Sequence, residues 1–96
     1  MRFRVALRAE QDIVEIGEFI GRGNPVRALS FTIELRAKIA RAALTPHANR
    51  ERPELKSGVR AARYGRYLVY FRIEAQCMEV LRIRHGARDT TDLFQD

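Results

Sequence analysis

Val59 to Arg72 reads V-R-A-A-R-Y-G-R-Y-L-V-Y-F-R, and Glu79 to Asp89 reads E-V-L-R-I-R-H-G-A-R-D. Both stretches are apolar runs rich in β-branched and aromatic residues, with arginines threaded through them. Tyr64-Gly65-Arg66 supplies a tight-turn signal, since glycine takes positive φ without steric penalty. The spacing predicts a three-stranded antiparallel meander over roughly 59–63, 66–73 and 77–84. Its arginines then fall on a structured surface, which suits an acidic ligand or partner.

Upstream, Arg2–Arg8 alternates, with Phe3, Val5 and Leu7 on one side and arginines on the other, as in a half-buried strand. Residues 9–21 change to helical spacing, with Ile13, Ile16 and Ile20 on one row. Gly21-Arg22-Gly23 ends that helix. Asn24-Pro25 opens the next as N-cap and first helical residue, and Thr45-Pro46 stops it after about Leu44. This second helix has two apolar rows: Ala28, Phe31, Leu35, Ile39, Ala42, and beside them Leu29, Ile33, Ala37, Ala40, Leu44. Both are expected to pack, one on the sheet and one on the first helix, because a small domain needs the buried area.

Residues 45–58 form a polar loop with two prolines and five charges, a length and composition often functional. At the C-terminus, Asp89 reads as an N-cap for one helical turn, with Leu93 and Phe94 pinning it to the body. The expected architecture is α+β over a single domain, 1–96: an N-terminal strand, an αα-hairpin, then the meander, with the helices on one face of the sheet.

The 96 residues support one core, and 46% hydrophobic content is ordinary. The longest uncharged apolar stretch, Tyr67–Phe71, is far short of a membrane span. The start, M-R-F-R-V-A-L-R-A-E, has no apolar signal-peptide core, and the lone Cys77 excludes an internal disulfide. The cytoplasm is the expected compartment. Residues 9–21 carry four acids and no base, so subtracting that −4 from the net +6 leaves +10 on the rest of the chain. An acidic strip on a basic body points to a nucleic acid or an acidic protein segment as partner.

Strand alternation sharpens this. In the second hairpin strand, Tyr67, Val69, Phe71 and Ile73 share one face, and Leu68, Tyr70 and Arg72 the other. Alternation in the last strand puts Leu81 and Ile83 under the helices with Val80, Arg82 and Arg84 opposite. The uncovered face is then expected to hold Arg2, Arg4, Arg8, Arg72, Arg82 and Arg84, joined by Arg60 or Arg63. Only Glu74 and Glu79 lie nearby to neutralise it. Cys77 has no second thiol and no close histidine in sequence, and no P-loop, G-x-G-x-x-G or H-E-x-x-H occurs. No metal or cofactor is expected.

Three pieces occur in order: Glu54-Leu55-(x)2-Gly58-(x)-Arg60, Tyr67-Leu68-Val69-Tyr70-Phe71-Arg72, and His85-Gly86-Ala87-Arg88-Asp89. Together, from Arg8 to about Leu93, they resemble the RelE/ParE superfamily of bacterial toxins, and specifically its ParE-like branch. The resemblance implies the toxin of a type II toxin–antitoxin pair that inhibits DNA gyrase, arrests growth and is neutralised by an antitoxin with an acidic, amphipathic C-terminal segment. Under it, Arg2, Arg4, Arg60, Arg63, Tyr70, Arg72, Arg82, Arg84, His85 and Arg88 are the candidate contacts for target or antitoxin. The alternative it implies is a RelE-like ribosome-dependent mRNA endoribonuclease, using Arg60, Arg63, Arg82, His85 and a loop Glu51 or Glu54. A toxin-fold binding module without toxicity is a third. Ribonuclease branches usually carry a late tyrosine or a lysine-rich tract. Here no tyrosine follows Tyr70, and the lysines are Lys38 and Lys56. That difference favours the gyrase poison, in which His85 binds or supports rather than acting as general acid or base.

Overall fold

The computed structural model describes residues 1–88 and 90–94. In chain order it forms β1 (Arg2–Val5), α1 (Leu7–Gly23), α2 (Pro25–Ala42), a short 3-10 turn at Pro46–Ala48, β2 (Val59–Tyr64), β3 (Tyr67–Glu74) and β4 (Cys77–His85). The strands make one mixed sheet in the order β1-β4-β3-β2, with β1 parallel to β4 and the other pairs antiparallel. The α+β architecture expected from the pattern is the one observed. The expected N-cap, Asp89, lies outside the described residues.

Local chemistry sets most boundaries. The Asn24 side chain accepts the Arg27 N–H at 3.0 Å, and Pro25 takes the first helical position, where no N–H is needed. β1 is shorter than the alternation suggested. Ala6 N–H still bonds Val80 O, but Ala6 O already accepts Glu10 N–H, so the chain is helical from Leu7. The row Ala9, Ile13, Ile16, Ile20 therefore outweighs Leu7, which stays exposed, and Arg8 belongs to the helix.

Under the helices, Ile13, Phe31, Leu35 and Ile39 pack on Val69, Phe71, Met78, Val80 and Ile83. Each such side chain contributes roughly 1.5–3 kcal/mol on burial. The opposite face is not bare. Val59, Tyr70 and Leu93 are buried there, with Leu55, Leu68, Leu81 and Phe94 packed against them. Tyr70 is 1% exposed and meets Phe94 edge-on at 6.0 Å, and burial pushes its hydroxyl pKa up. The C-terminal segment is thus pinned by Leu93 and Phe94, as expected.

A bulge explains why the face assignment of β4 changes. Tyr70 pairs with Arg82 but Phe71 pairs with Val80, leaving Leu81 as the extra residue. Before the bulge, Met78 and Val80 face the helices. After it Ile83 does, and Leu81 falls to the other side. Strict alternation had placed Leu81 inward and Val80 outward, and both are reversed.

The turns differ in quality. Gly65 has φ +59° between the paired Tyr64 and Tyr67, so glycine stands where a two-residue hairpin loop needs positive φ. Between β3 and β4, Ala75 (φ 51°) and Gln76 (φ 60°) occupy the left-handed region without being glycine. The double change Ala75→Asn, Gln76→Gly should relieve about 1–2 kcal/mol of that penalty. A thermal melt should show a midpoint several degrees higher, whereas an unchanged or lower midpoint would mean the turn is not strained.

Candidate functional site

β1 ends at Val5, opposite Val80, so the rest of β4 has an edge without a strand partner. Helix α1 turns across that edge. Asp12, 6% exposed, accepts the Ile83 N–H at 2.9 Å and takes Arg82 in a two-pronged bridge, Nε at 2.9 Å and Nη2 at 3.1 Å. Arg82 Nη1 donates further to Leu93 O at 3.2 Å. Bonding to Asp12 holds the guanidinium pKa above its ordinary value. Arg82 was expected on an open basic face. It is instead a half-buried tie between α1, the β4 bulge and the C-terminal segment.

Beyond this tie lies a groove of about 350 Å³ between α1 and the end of β4. Ile16, Phe19, Tyr67 and Ile83 give it an apolar floor, and Glu15, Arg84, His85 and Arg88 line it with charge and an imidazole. Phe19 is 66% exposed, a large apolar surface for so small a domain. Arg84 lies 3.5 Å from Asp92. His85 stacks edge-on against Tyr67 at 5.4 Å, and Tyr67 meets Phe31 at 5.3 Å. The Ala87 N–H donates to His85 Nδ1 at 3.1 Å, which leaves Nε2 as the nitrogen that could contact a ligand.

The other predicted residues are dispersed. Arg60 anchors the 45–51 loop, donating to Asn49 O at 2.6 Å, with Glu51 at 3.5 Å. Glu54 pairs with Arg52 at 2.6 Å, and this holds its carboxyl below the usual range. Arg4 pairs with Glu79 at 3.0 Å, and Arg72 lies 3.6 Å from Glu74, while Arg2 and Arg63 are exposed. Of the six guanidiniums expected on the uncovered face, strand pairing puts Arg2, Arg4, Arg72, Arg82 and Arg84 there, joined by Arg63, but they do not form an open array. Arg8 is on α1, and Arg4, Arg72, Arg82 and Arg84 each have an acidic neighbour. The centre of that face is apolar and covered. Tyr70 is in its core and not a surface contact. Among the described residues, no three of His, Cys, Asp and Glu are grouped to hold a metal ion.

Two features escaped the sequence reading. Asp12 sits on the buried row of α1 between Ala9 and Ile13, and an acid at such a position is the signal that could have found it. The sequence pattern places the second row of α2 in the core, yet Leu29 is 67% and Ile33 61% exposed, with Val26 and Leu44 exposed as well. The first row fills the core alone.

A family model described as the ParE toxin of the type II toxin–antitoxin system, parDE, matches residues 3–90. The chain belongs to the ParE toxin family. Its fold is similar to a chain of the chromosomal ParDE toxin–antitoxin system from P. aeruginosa, with TM-score 0.77 at 19% identity over 88% of this chain and 95% of that one. It is also similar to a chain of the toxin–antitoxin complex RelBE2 from Mycobacterium tuberculosis, with TM-score 0.58 at 25% identity and the same coverage. A search of curated proteins returned no match.

Within this ParE-family chain, Arg60 holds a loop that tryptic cleavage after Arg50 can report. Arg60→Met removes a charged hydrogen bond worth roughly 1.5–3 kcal/mol, so cleavage there should accelerate about tenfold or more. Unchanged cleavage would show that the loop does not depend on Arg60.

Proposed function

We propose that this ParE-family toxin arrests growth by inhibiting DNA gyrase, without catalysing a reaction of its own. The observation that carries this is that the residues a ribonuclease would need are engaged in structural bonds or kept apart: Arg82 and His85 line one groove, but Arg60 and Glu54 lie away from it. Cleaving RNA requires a base at the 2′-OH, an acid at the leaving oxygen and cations at the phosphorane, all within reach of one phosphate. Arg60 is turned to loop carbonyls, Arg82 is engaged by Asp12, and His85 Nδ1 is occupied by a backbone N–H. Glu51 lies 3.5 Å from Arg60 of β2, and Glu54 pairs with Arg52.

The same reading names the antitoxin's contact. Val26, Leu29 and Ile33 form an exposed apolar row along α2, with Leu44 just past its end, and Arg22, Arg27 and Arg36 lie on the same helical hairpin. An acidic, amphipathic segment that folds on contact suits both features. A second copy of a chain with net +6 would bring like charges together. The cytoplasm is the compartment we assign. No helix among the described residues is long and apolar enough to cross a membrane.

Expression of the chain alone should induce a DNA-damage response while translation continues, and purified protein should inhibit gyrase supercoiling. Rapid cleavage of ribosome-bound mRNA with supercoiling untouched would replace this reading by the ribonuclease one. His85→Gln should keep most of the growth arrest. As a general acid or base His85 would instead be worth about two to four orders of magnitude in rate. Ile33→Glu should weaken antitoxin binding at least tenfold and leave toxicity in place. Retained binding would move the antitoxin off α2.

A further inference from the structure

A second cleft, of about 370 Å³, lies between the C-terminal half of α2 and the β2–β3 turn. Lys38, Arg41 and Arg63 line it, with Glu34, Tyr64 and Gly65. Its one acid is already engaged, because Glu34 accepts both the Tyr64 hydroxyl and Arg27 Nη1, the latter at 2.9 Å. Those two bonds, the tyrosine first, hold the Glu34 carboxyl below its usual range and so keep it occupied as a charged acceptor. Lys38 and Arg41 have no acidic partner among the described residues, and Arg63 has only a 3.5 Å bond to the Gly65 carbonyl. Three cations thus face one concave surface with no counter-charge of their own.

We propose that this cleft binds the phosphodiester backbone of duplex DNA. Cations gathered on a concave surface are what successive phosphates require, and such contacts need no base recognition. An acidic peptide would also need an apolar anchor pocket, and the cleft offers only Ala37 and the Tyr64 ring. The apolar row on α2 provides for a peptide, and this cleft does not. The net charge of +6 steers polyanions toward it. The choice of duplex DNA over other nucleic acids rests on the gyrase reading, since gyrase is engaged with duplex DNA when it is inhibited. The cleft itself is argued independently of gyrase.

The test is fluorescence anisotropy of a short labelled DNA duplex titrated with the full chain at several salt concentrations. Three phosphate contacts predict a slope of about −2.7 in log affinity against log salt, or about 40-fold weaker binding at 200 mM than at 50 mM. The triple variant Lys38→Gln, Arg41→Gln, Arg63→Gln should lose at least tenfold in affinity. Arg22→Gln, Arg50→Gln, Lys56→Gln carries the same charge change elsewhere and should lose about threefold or less, with thermal melts confirming that both fold. Equal losses in the two variants, or no binding by the parent chain, would overturn the site. A glutamate-rich peptide of matched charge that displaces DNA through the same three residues would make it a protein-docking cleft. A duplex RNA bound more than tenfold tighter would overturn the choice of DNA. Supercoiling is scored in parallel: a chain that binds DNA through the cleft but leaves gyrase active keeps the cleft and removes the gyrase reading.

Discussion

Asp12 receives three hydrogen bonds, from Arg82 Nε, from Arg82 Nη2 and from the backbone N–H of Ile83. The demand arises from the sheet. β1 pairs with β4 only as far as Val80, so the Ile83 N–H points to an edge where α1 lies instead of a strand. A buried amide without a partner is costly, and the carboxylate meets that need in place of a backbone carbonyl. The carboxylate in turn requires a cation, because an isolated charge in this position would be strongly unfavourable. Arg82 can supply it because the bulge at Leu81 resets the strand and carries the side chain to the edge. Helix, edge and bulge are therefore mutually dependent.

From that knot the functional surfaces follow. With α1 fixed against β4, its Ile16 and Phe19 stand over Tyr67 and Ile83 and create the groove beside His85 and Arg88. With Leu81 turned away from the helices, the opposite face is apolar enough to be closed by Leu55, Leu93 and Phe94. The sheet is thus covered on both sides. Besides that groove, the outer row of α2 and the cationic cleft are open to partners. The two differ in chemistry: one is apolar and long, suited to a folding helix, and the other is charged and narrow, suited to phosphates. A toxin that must be held by one protein and act on another target benefits from surfaces that need not compete.

Much of the architecture was legible because it is encoded locally. Asn24-Pro25 marks a helix start by capping chemistry, Gly65 marks a turn by its positive φ, and the β3 residues Tyr67, Val69 and Phe71 alternate cleanly. The site was less legible because its determinants are not local. A bulge leaves no mark in a period-two pattern, so Val80 and Leu81 exchanged faces and Arg82 was read as a free surface cation. Helical periodicity reveals that α2 has two apolar rows, but not that the core accepts only one. Tyr70 has the pattern of a binding residue, but the C-terminal segment lies over it through Phe94. In each case the missing information was which distant element arrives at a given face.

The most direct test is a double-mutant cycle on Asp12 and Arg82, with stabilities of the parent, Asp12→Ala, Arg82→Ala and the double variant measured by urea denaturation. Each single change leaves a buried charge unpaired, and the double change removes both. The coupling energy should be about 2–3 kcal/mol, with the double variant far less unstable than the sum of the singles. A coupling below about 0.5 kcal/mol would mean that the two residues act independently, and the helix–edge–bulge knot would not be what fixes this fold.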